Sequence, residues 1–288
     1  MRFGFLLKRG KPEARDLAQS LGKVVTDRGA TLVALAEDAV SIPGATAVTP
    51  EDFAASMDVL VVLGGDGTFL YGASFAADRG VPIFGVNLGS LGFITPYSRA
   101  EAAQAIDDAC QGKLAIEERI RLSVGVRAHG GGLPAPARPA VNDAVIKQGS
   151  IARLLDLEAR LNGAEIATYK ADGLIIATPT GSTAYTLAAG GPILTPDVQA
   201  MVLTPICPHT LTNRPLVFPP DAHLAIRNAS GASVTLTIDG QWSQELASDA
   251  WIDVRRADRP LRLFRAPRGF FGILREKLSW GSRRVDDE

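Results

Sequence analysis

The chain has 288 residues, of which 46% are hydrophobic and 21% charged, and its formal net charge is −1. That length and mix fit a folded protein with a substantial core, organised as one large domain or two ordinary ones. The near-zero charge gives no bulk attraction to nucleic acid or a membrane surface, although net charge does not exclude a local basic groove. Two distant cysteines, Cys110 and Cys207, argue against a disulfide framework or zinc site and fit a reducing, cytoplasmic setting. The N-terminal apolar run Phe3–Leu7 is too short for a signal-peptide core or a membrane span.

In chain order, Phe3–Leu7 reads as a strand. Residues 12–28 follow, with Ala14, Leu17, Ala18, Leu21, Val24 and Val25 at the spacing of an amphipathic helix and Pro12 suited to its first turn. Thr31–Leu35, Val59–Leu63 and Val81–Val86 read as further strands, the last two separated by a helix capped by Thr68. Repeated β-α-β units predict a mostly parallel sheet with helices on its faces, which binds ligands at the carboxyl ends of its strands.

After about residue 115 the pattern changes. Leu155, Leu157, Ala159 and Leu161 alternate with polar residues up to Asn162-Gly163, and Ala164–Tyr169 follows, which predicts a hairpin. Val234, Leu236 and Ile238 alternate likewise, and short strands fit 251–255 and 261–265. The second region therefore reads as a β-sandwich. Residues 129–139, rich in Gly and Pro, read as a loop within it, Phe270–Leu278 as an amphipathic helix, and 286–288 as a frayed end. The predicted fold is an N-terminal Rossmann-like parallel α/β domain, 1–114, and a C-terminal β-sandwich-like domain, 115–265. Residues 266–288 are expected to pack back on the first.

Gly64-Gly-Asp-Gly-Thr68 follows a buried strand directly. Such a turn has little side-chain bulk, so backbone N–H groups can approach a phosphate, and the next helix adds positive partial charge. Asp66 is placed to act on that ligand. A second constellation is Asn142-Asp143, whose amide and carboxylate suit a base edge and sugar hydroxyls; alone, it reads more readily as a pair of turn-capping residues. The third runs from Ala171 to Ala188: a buried strand, the turn Thr178-Pro-Thr-Gly-Ser182, and a helix beginning at Thr183. The chain has neither a complete dinucleotide fingerprint nor a Walker-type loop. His129, His209 and His223 are dispersed and suggest no metal site, and Trp242, Trp251 and Trp280 read as packing residues.

These three motifs, in this order, resemble the ATP-NAD kinase family. So do Asp172-Gly173, Leu211-Thr-Asn-Arg-Pro215 and Phe270–Leu278, and the resemblance covers nearly the whole chain. It implies transfer of the ATP γ-phosphoryl group to the 2′-hydroxyl of the adenosine ribose of NAD, giving NADP. It also implies magnesium or another divalent cation bound with ATP, an active site between the two domains, and a homodimer or homotetramer. Asp66 would be the catalytic carboxylate, and Gly67 would contact the dinucleotide. Asn142 and Asp143 would hold adenine and ribose groups, and Asp172 would bind on the nicotinamide side. Thr183, Ala184, Tyr185, Thr186, Leu187 and Ala188 would line the adenosine pocket. Gln241, Arg153 and Lys170 match positions near the substrate, whereas Tyr71 stands where members often carry a basic residue. No metal-ligating residues, nucleic acid or membrane are implied. Two alternatives remain: a lipid kinase of the diacylglycerol or sphingosine type, which shares Gly-Gly-Asp-Gly-Thr, and a non-catalytic dinucleotide sensor.

Overall fold

The computed structural model describes residues 1–127, 136–149, 154–265 and 268–280. It divides into two compact units, Met1–Glu118 with Leu261–Glu288, and Arg119–Pro260. The first unit opens β1 (Arg2–Leu7), α1 (Pro12–Asp27), β2 (Thr31–Leu35), α2 (Ala36–Ala39), β3 (Ala45–Val48), α3 (Pro50–Phe53), β4 (Val59–Gly64), α4 (Asp66–Ala76), β5 (Ile83–Asn87), α5 (Arg99–Cys110) and β6 (Ile116–Arg119). Period-two alternation sends Phe3, Phe5, Val59, Val61 and Leu63 to one face of the sheet. There they pack with Leu17 and Leu21 of α1 and Ile106 of α5. On the other face, α4 lies so close to β1 and β4 that a Cβ on Gly72 would crowd Leu6, Leu60 and Val62.

The second unit is all antiparallel: β7 (Leu122–Arg127), β8 (Arg138–Ala140), β9 (Asp143–Gln148), β10 (Leu155–Leu161), β11 (Ala164–Ala171), β12 (Gly173–Ala177), α6 (Tyr185–Ala188), β13 (Met201–Ile206), β14 (Leu216–Phe218), β15 (Leu224–Asn228), β16 (Val234–Ile238), β17 (Trp242–Leu246) and β18 (Trp251–Arg256). They form two six-stranded sheets, ordered β11-β10-β15-β18-β7-β8 and β14-β13-β12-β9-β16-β17. Leu157, Leu224 and Ile252 of the first sheet face Ile146, Leu174 and Leu236 of the second across one core, a β-sandwich. The predicted hairpin is present. Asn162 (φ 52°) and Gly163 (φ 84°) make the left-handed turn that joins β10 to β11.

The chain then returns to the first unit with β19 (Leu261–Phe264) and α7 (Gly269–Leu278). The seven-stranded sheet has the order β3-β2-β1-β4-β5-β19-β6, and its neighbours are parallel from β3 through β19. The strand expected at 261–265 therefore completes the α/β sheet and does not belong to the β-sandwich. Its alternating leucines specify a strand but carry no information about its partner. Residues 138–140, expected within a loop, form β8 against β7. The rest of that loop up to residue 135, and residues 286–288, lie outside the described residues. Among the described residues, no helix is long and apolar enough to cross a membrane.

Candidate functional site

The Gly-Gly-Asp-Gly-Thr turn sits at the carboxyl end of β4. Gly65 is the N-cap of α4 and Asp66 its first residue. The helix therefore starts two residues before the predicted Thr68 cap. The Thr68 side chain instead tucks under Gly64, where an added Cβ would lie 2.5 Å from its Oγ1. The first-turn N–H groups have no partner within the helix by geometry and face outward with the positive end of its dipole. Gly65 and Gly67 have open space where a Cβ would stand, and neither has a left-handed φ. Among the described residues nothing demands glycine at these positions; a closely approaching ligand would.

Asp66 is half-buried, and its carboxylate accepts three hydrogen bonds. The Phe93 N–H donates to Oδ2 (3.0 Å), and the Ile94 N–H (3.3 Å) and Thr95 hydroxyl (2.9 Å) donate to Oδ1. The segment Asn87–Thr95 went unnoticed in the sequence. Its signal was an Asn and two glycines after a strand, the same grammar as the first motif. A cavity of about 680 Å³ opens at the carboxyl ends of β1, β2 and β3, lined by Arg9, Leu35, Val48, Pro50 and Tyr71 and by the acidic Glu37 and Asp52 among others.

In the second unit, Asn142 and Asp143 enter β9, which pairs with β12 on one side and β16 on the other. The carboxylate of Asp239 accepts the backbone N–H groups of Val141 (2.7 Å), Asn142 (2.8 Å) and Asp143 (3.0 Å). Asp239 returns its own N–H to the Asp143 carbonyl at 3.0 Å. With Gly240 it forms a left-handed turn, φ 51° and 63°. The sequence does not announce this role of Asp239: a side chain turned back onto the backbone of a segment 96 residues earlier leaves no local signature.

Burial first, and the neighbouring Asp239 carboxylate second, push the Asp143 carboxyl up to about 7. Burial also raises Asp239, opposed by its three backbone donors.

Thr178 joins this cluster. Its hydroxyl donates to the Val141 carbonyl (2.6 Å) and accepts from the Gly181 N–H (3.1 Å), and its own N–H donates to the Asn142 carbonyl (2.9 Å). Gly181 passes so close to Asn142 that a Cβ would overlap that carbonyl. The structure thus brings the second and third motifs together. The helix expected from Thr183 is shorter than predicted. Gly181–Thr183 is a 3₁₀ turn, Ala184 breaks it, and only Tyr185–Ala188 is α-helical. The Ser182 hydroxyl bonds the Pro179 carbonyl (2.6 Å), and the Leu194 N–H donates to it at 3.0 Å, which ties down the turn instead of extending it. The Thr186 and Thr204 hydroxyls are buried without a partner.

Other predicted residues scatter. Gln241 is exposed beside the Asp239 turn, its N–H bonded to the Ile238 carbonyl. Lys170 is exposed and pairs with Asp156 at 3.3 Å. Lys170 and Asp172 precede β12, whereas Asp143 pairs with Ala177 at its far end. At about 3.3 Å per residue, that separates Asp172 from the Asn142-Asp143 cluster by roughly 17 Å. Arg153 lies outside the described residues. Of the tryptophans, Trp280 is exposed, not packed.

The family model for the ATP-NAD kinase N-terminal domain matches residues 3–114, and that for the C-terminal domain matches residues 141–266. The NAD kinase of Geotalea daltonii is 46% identical over 235 residues, 81% of this chain and 82% of the relative. That of Geobacter sulfurreducens is 40% identical over 274 residues, 94% of this chain and 96% of the relative. The crystal structure of yeast NADH kinase complexed with NADH superposes with a TM-score of 0.91 at 27% identity, covering 99% of this chain and 89% of that one.

Proposed function

Since the chain belongs to the ATP-NAD kinase family, we propose that Asp66 meets the acceptor hydroxyl in its reaction. That reaction transfers the γ-phosphoryl group of ATP to the 2′-hydroxyl of the adenosine ribose of NAD. The ribose oxygen forms a new bond to phosphorus, the bond from phosphorus to the β–γ bridging oxygen breaks, and ADP and NADP leave. The hydroxyl gives up one proton, which Asp66 is placed to accept. Because the transition state of phosphoryl transfer is loose, alignment and charge neutralisation supply much of the acceleration. An aspartate fixed on the first turn of α4, between two glycines with open space over them, is the observation that carries this reading.

The remaining roles follow from position. Gly67 and the first-turn N–H groups of α4 would meet phosphate oxygens. The 680 Å³ cavity, whose lining mixes apolar side chains with the ion-paired Arg9 and Glu37, could take the adenosine of the donor. Asn142 and Asp143, held in place by Asp239, would bind adenine and ribose groups, and Thr183–Ala188 and Gln241 would line that pocket. Among the described residues, no three His, Cys, Asp or Glu side chains converge as a metal set. Magnesium or another divalent cation would come with ATP, as the family resemblance implies, and would offset the triphosphate charge.

Lys170 and Asp172 stand at the opposite end of β12 from Asn142-Asp143. Asp172, proposed for the nicotinamide side, and Asn142-Asp143, proposed for the adenine side, would then meet opposite ends of one extended dinucleotide; a homodimer or larger assembly is proposed from the family resemblance alone. A cytoplasmic setting, supported by the free Cys110 and Cys207, belongs to the same proposal.

The test is NADP formation by purified protein given ATP, magnesium and NAD, with NADH run in parallel because the yeast relative was crystallised with it. Asp66→Asn is prepared identically. Activity that collapses by about 100-fold or more in the variant supports the assignment. Equal activity in both refutes the role of Asp66. Nucleotide binding without turnover in the wild type favours a sensor, and no NAD binding favours a lipid kinase.

A further inference from the structure

We propose that the segment Gly92–Thr95 is the positioning device for the Asp66 carboxylate, with Thr95 as its side-chain donor and α7 as its brace. The inference rests on Asp66 meeting the acceptor hydroxyl, and it adds a set of residues that this role alone does not name.

An aspartate at the first position of a helix has two free torsions and no reason of its own to hold one orientation. Here three donors from one short segment fix both oxygens: the Phe93 N–H on Oδ2, and the Ile94 N–H and Thr95 hydroxyl on Oδ1. An ionised carboxylate offers about four lone-pair sites. Three are taken, which leaves a place for one further hydroxyl and fixes its direction.

The approach is possible only because residue 92 is glycine. A Cβ there would overlap both Asp66 Oδ1 and Thr95 Oγ1. A second glycine provides the floor. At Gly85 in β5, a Cβ would lie 2.7 Å from the Ile94 carbonyl oxygen and 3.0 Å from the Thr95 Cα. Thr95 itself is fully buried.

The segment is anchored at both ends. The Asn87 N–H donates to the Tyr97 carbonyl (2.8 Å), and the Tyr97 N–H donates to the Gly85 carbonyl (3.3 Å). The Asn87 side chain accepts from the Gly89 N–H and donates to the Ser90 carbonyl. The Tyr97 hydroxyl donates to the Arg265 carbonyl at 2.7 Å, just beyond β19. From outside, α7 holds the residue whose N–H grips Oδ2. The Phe93 ring lies 6.3 Å from that of Phe270, and the Lys277 ammonium stands 5.1 Å from its centroid.

A group that orients the catalytic carboxylate acts on the transition state and leaves substrate binding alone. The experiment is steady-state kinetics and NAD-binding calorimetry on Thr95→Val, Thr95→Ser and Phe270→Ala, with wild type and Asp66→Asn alongside. Valine keeps the shape and removes the hydroxyl. The expected result for Thr95→Val is a kcat lower by about 10–100-fold, with KM for NAD and ATP within about twofold of wild type. Serine should restore most of the rate. Phe270→Ala, a half-buried surface change that spares the core, should lower kcat a few-fold at unchanged KM.

Wild-type kcat in Thr95→Val, a serine variant as impaired as valine, or a KM for NAD that rises in step with the loss would each overturn the proposal. Should Thr95→Val fail to fold, Phe270→Ala decides alone: unchanged kcat overturns the brace and the device with it. Full activity in Asp66→Asn would show that the underlying reading had failed, separately from the Thr95 results, and would remove this inference too.

Discussion

Replacing Asp143 by asparagine should stabilise the ligand-free protein by an amount that grows from about pH 4 to about pH 7 and then levels off. The Asp143 carboxyl is 6% exposed and pushed from an ordinary 3.8 up to about 7, by burial first and by Asp239 second. Between those two values the folded chain holds a proton that the unfolded chain has lost, so stability falls as pH rises. Its contribution is fully present below about 4, declines through the window from about 4 to 7, and levels off above. At about 1.4 kcal/mol per unit, a gap of about three units sets an upper size of roughly 4 kcal/mol. Asparagine has the same shape and never charges, so it escapes this cost and also removes the repulsion on Asp239.

The assay is thermal melting of both proteins without nucleotide from pH 4 to 9. The two midpoints should be similar at pH 4 and diverge through neutrality, with Asp143→Asn higher by several degrees at pH 8, given about 2–4 °C per kcal/mol for a unit of this size. A difference that is flat with pH, or that widens toward acid, would refute the reasoning.

Asp239→Asn tests the cradle under Asn142-Asp143. Asparagine tolerates the left-handed φ of 51° at this turn, so the backbone survives. It offers one acceptor oxygen where two met three N–H groups, and turns an NH₂ toward them. Steady-state kinetics should show KM for NAD raised about tenfold and KM for ATP unchanged; an unchanged KM for NAD would show that the loop holds itself. Light scattering at assay concentration should give the mass of a dimer or larger, and a monomer mass with full activity would refute the assembly.

Local chemistry made much of this molecule readable. Short, continuous apolar runs marked β1, β2 and β4, and the Asn162-Gly163 pair marked its hairpin because both residues accept a left-handed turn. The glycine-rich turn announced Asp66, since little else justifies so little side-chain bulk after a buried strand.

What stayed hidden was of two kinds. Some local signals were present but passed over. Ser98 and Glu101 form a complete capping box ahead of α5, and Asn87-Leu-Gly marks the turn that leads to Thr95. Others are non-local in principle. Nothing in Leu261-Arg-Leu263 tells which sheet it joins, and nothing near Asp239 says that its carboxylate binds Val141 to Asp143. The helix expected at Thr183 starts only at Tyr185 for a third reason: hydroxyls of Ser182 and Thr183 bond their own turn and so compete with helix propagation.

The return of β19 has a consequence for how the chain folds as it is made. Residues 119–260 are contiguous and emerge from the ribosome as a complete β-sandwich sequence. The first unit starts earlier and finishes later, because β19 sits between β5 and β6, and Leu263 opposite Ile83 is among the last strand residues synthesised. Until then the edge of β5 is a bare row of N–H and C=O groups, a template for wrong pairing. The usual order of synthesis, with the N-terminal domain finished first, is inverted. The nascent α/β half waits with an open sheet while the middle of the chain folds.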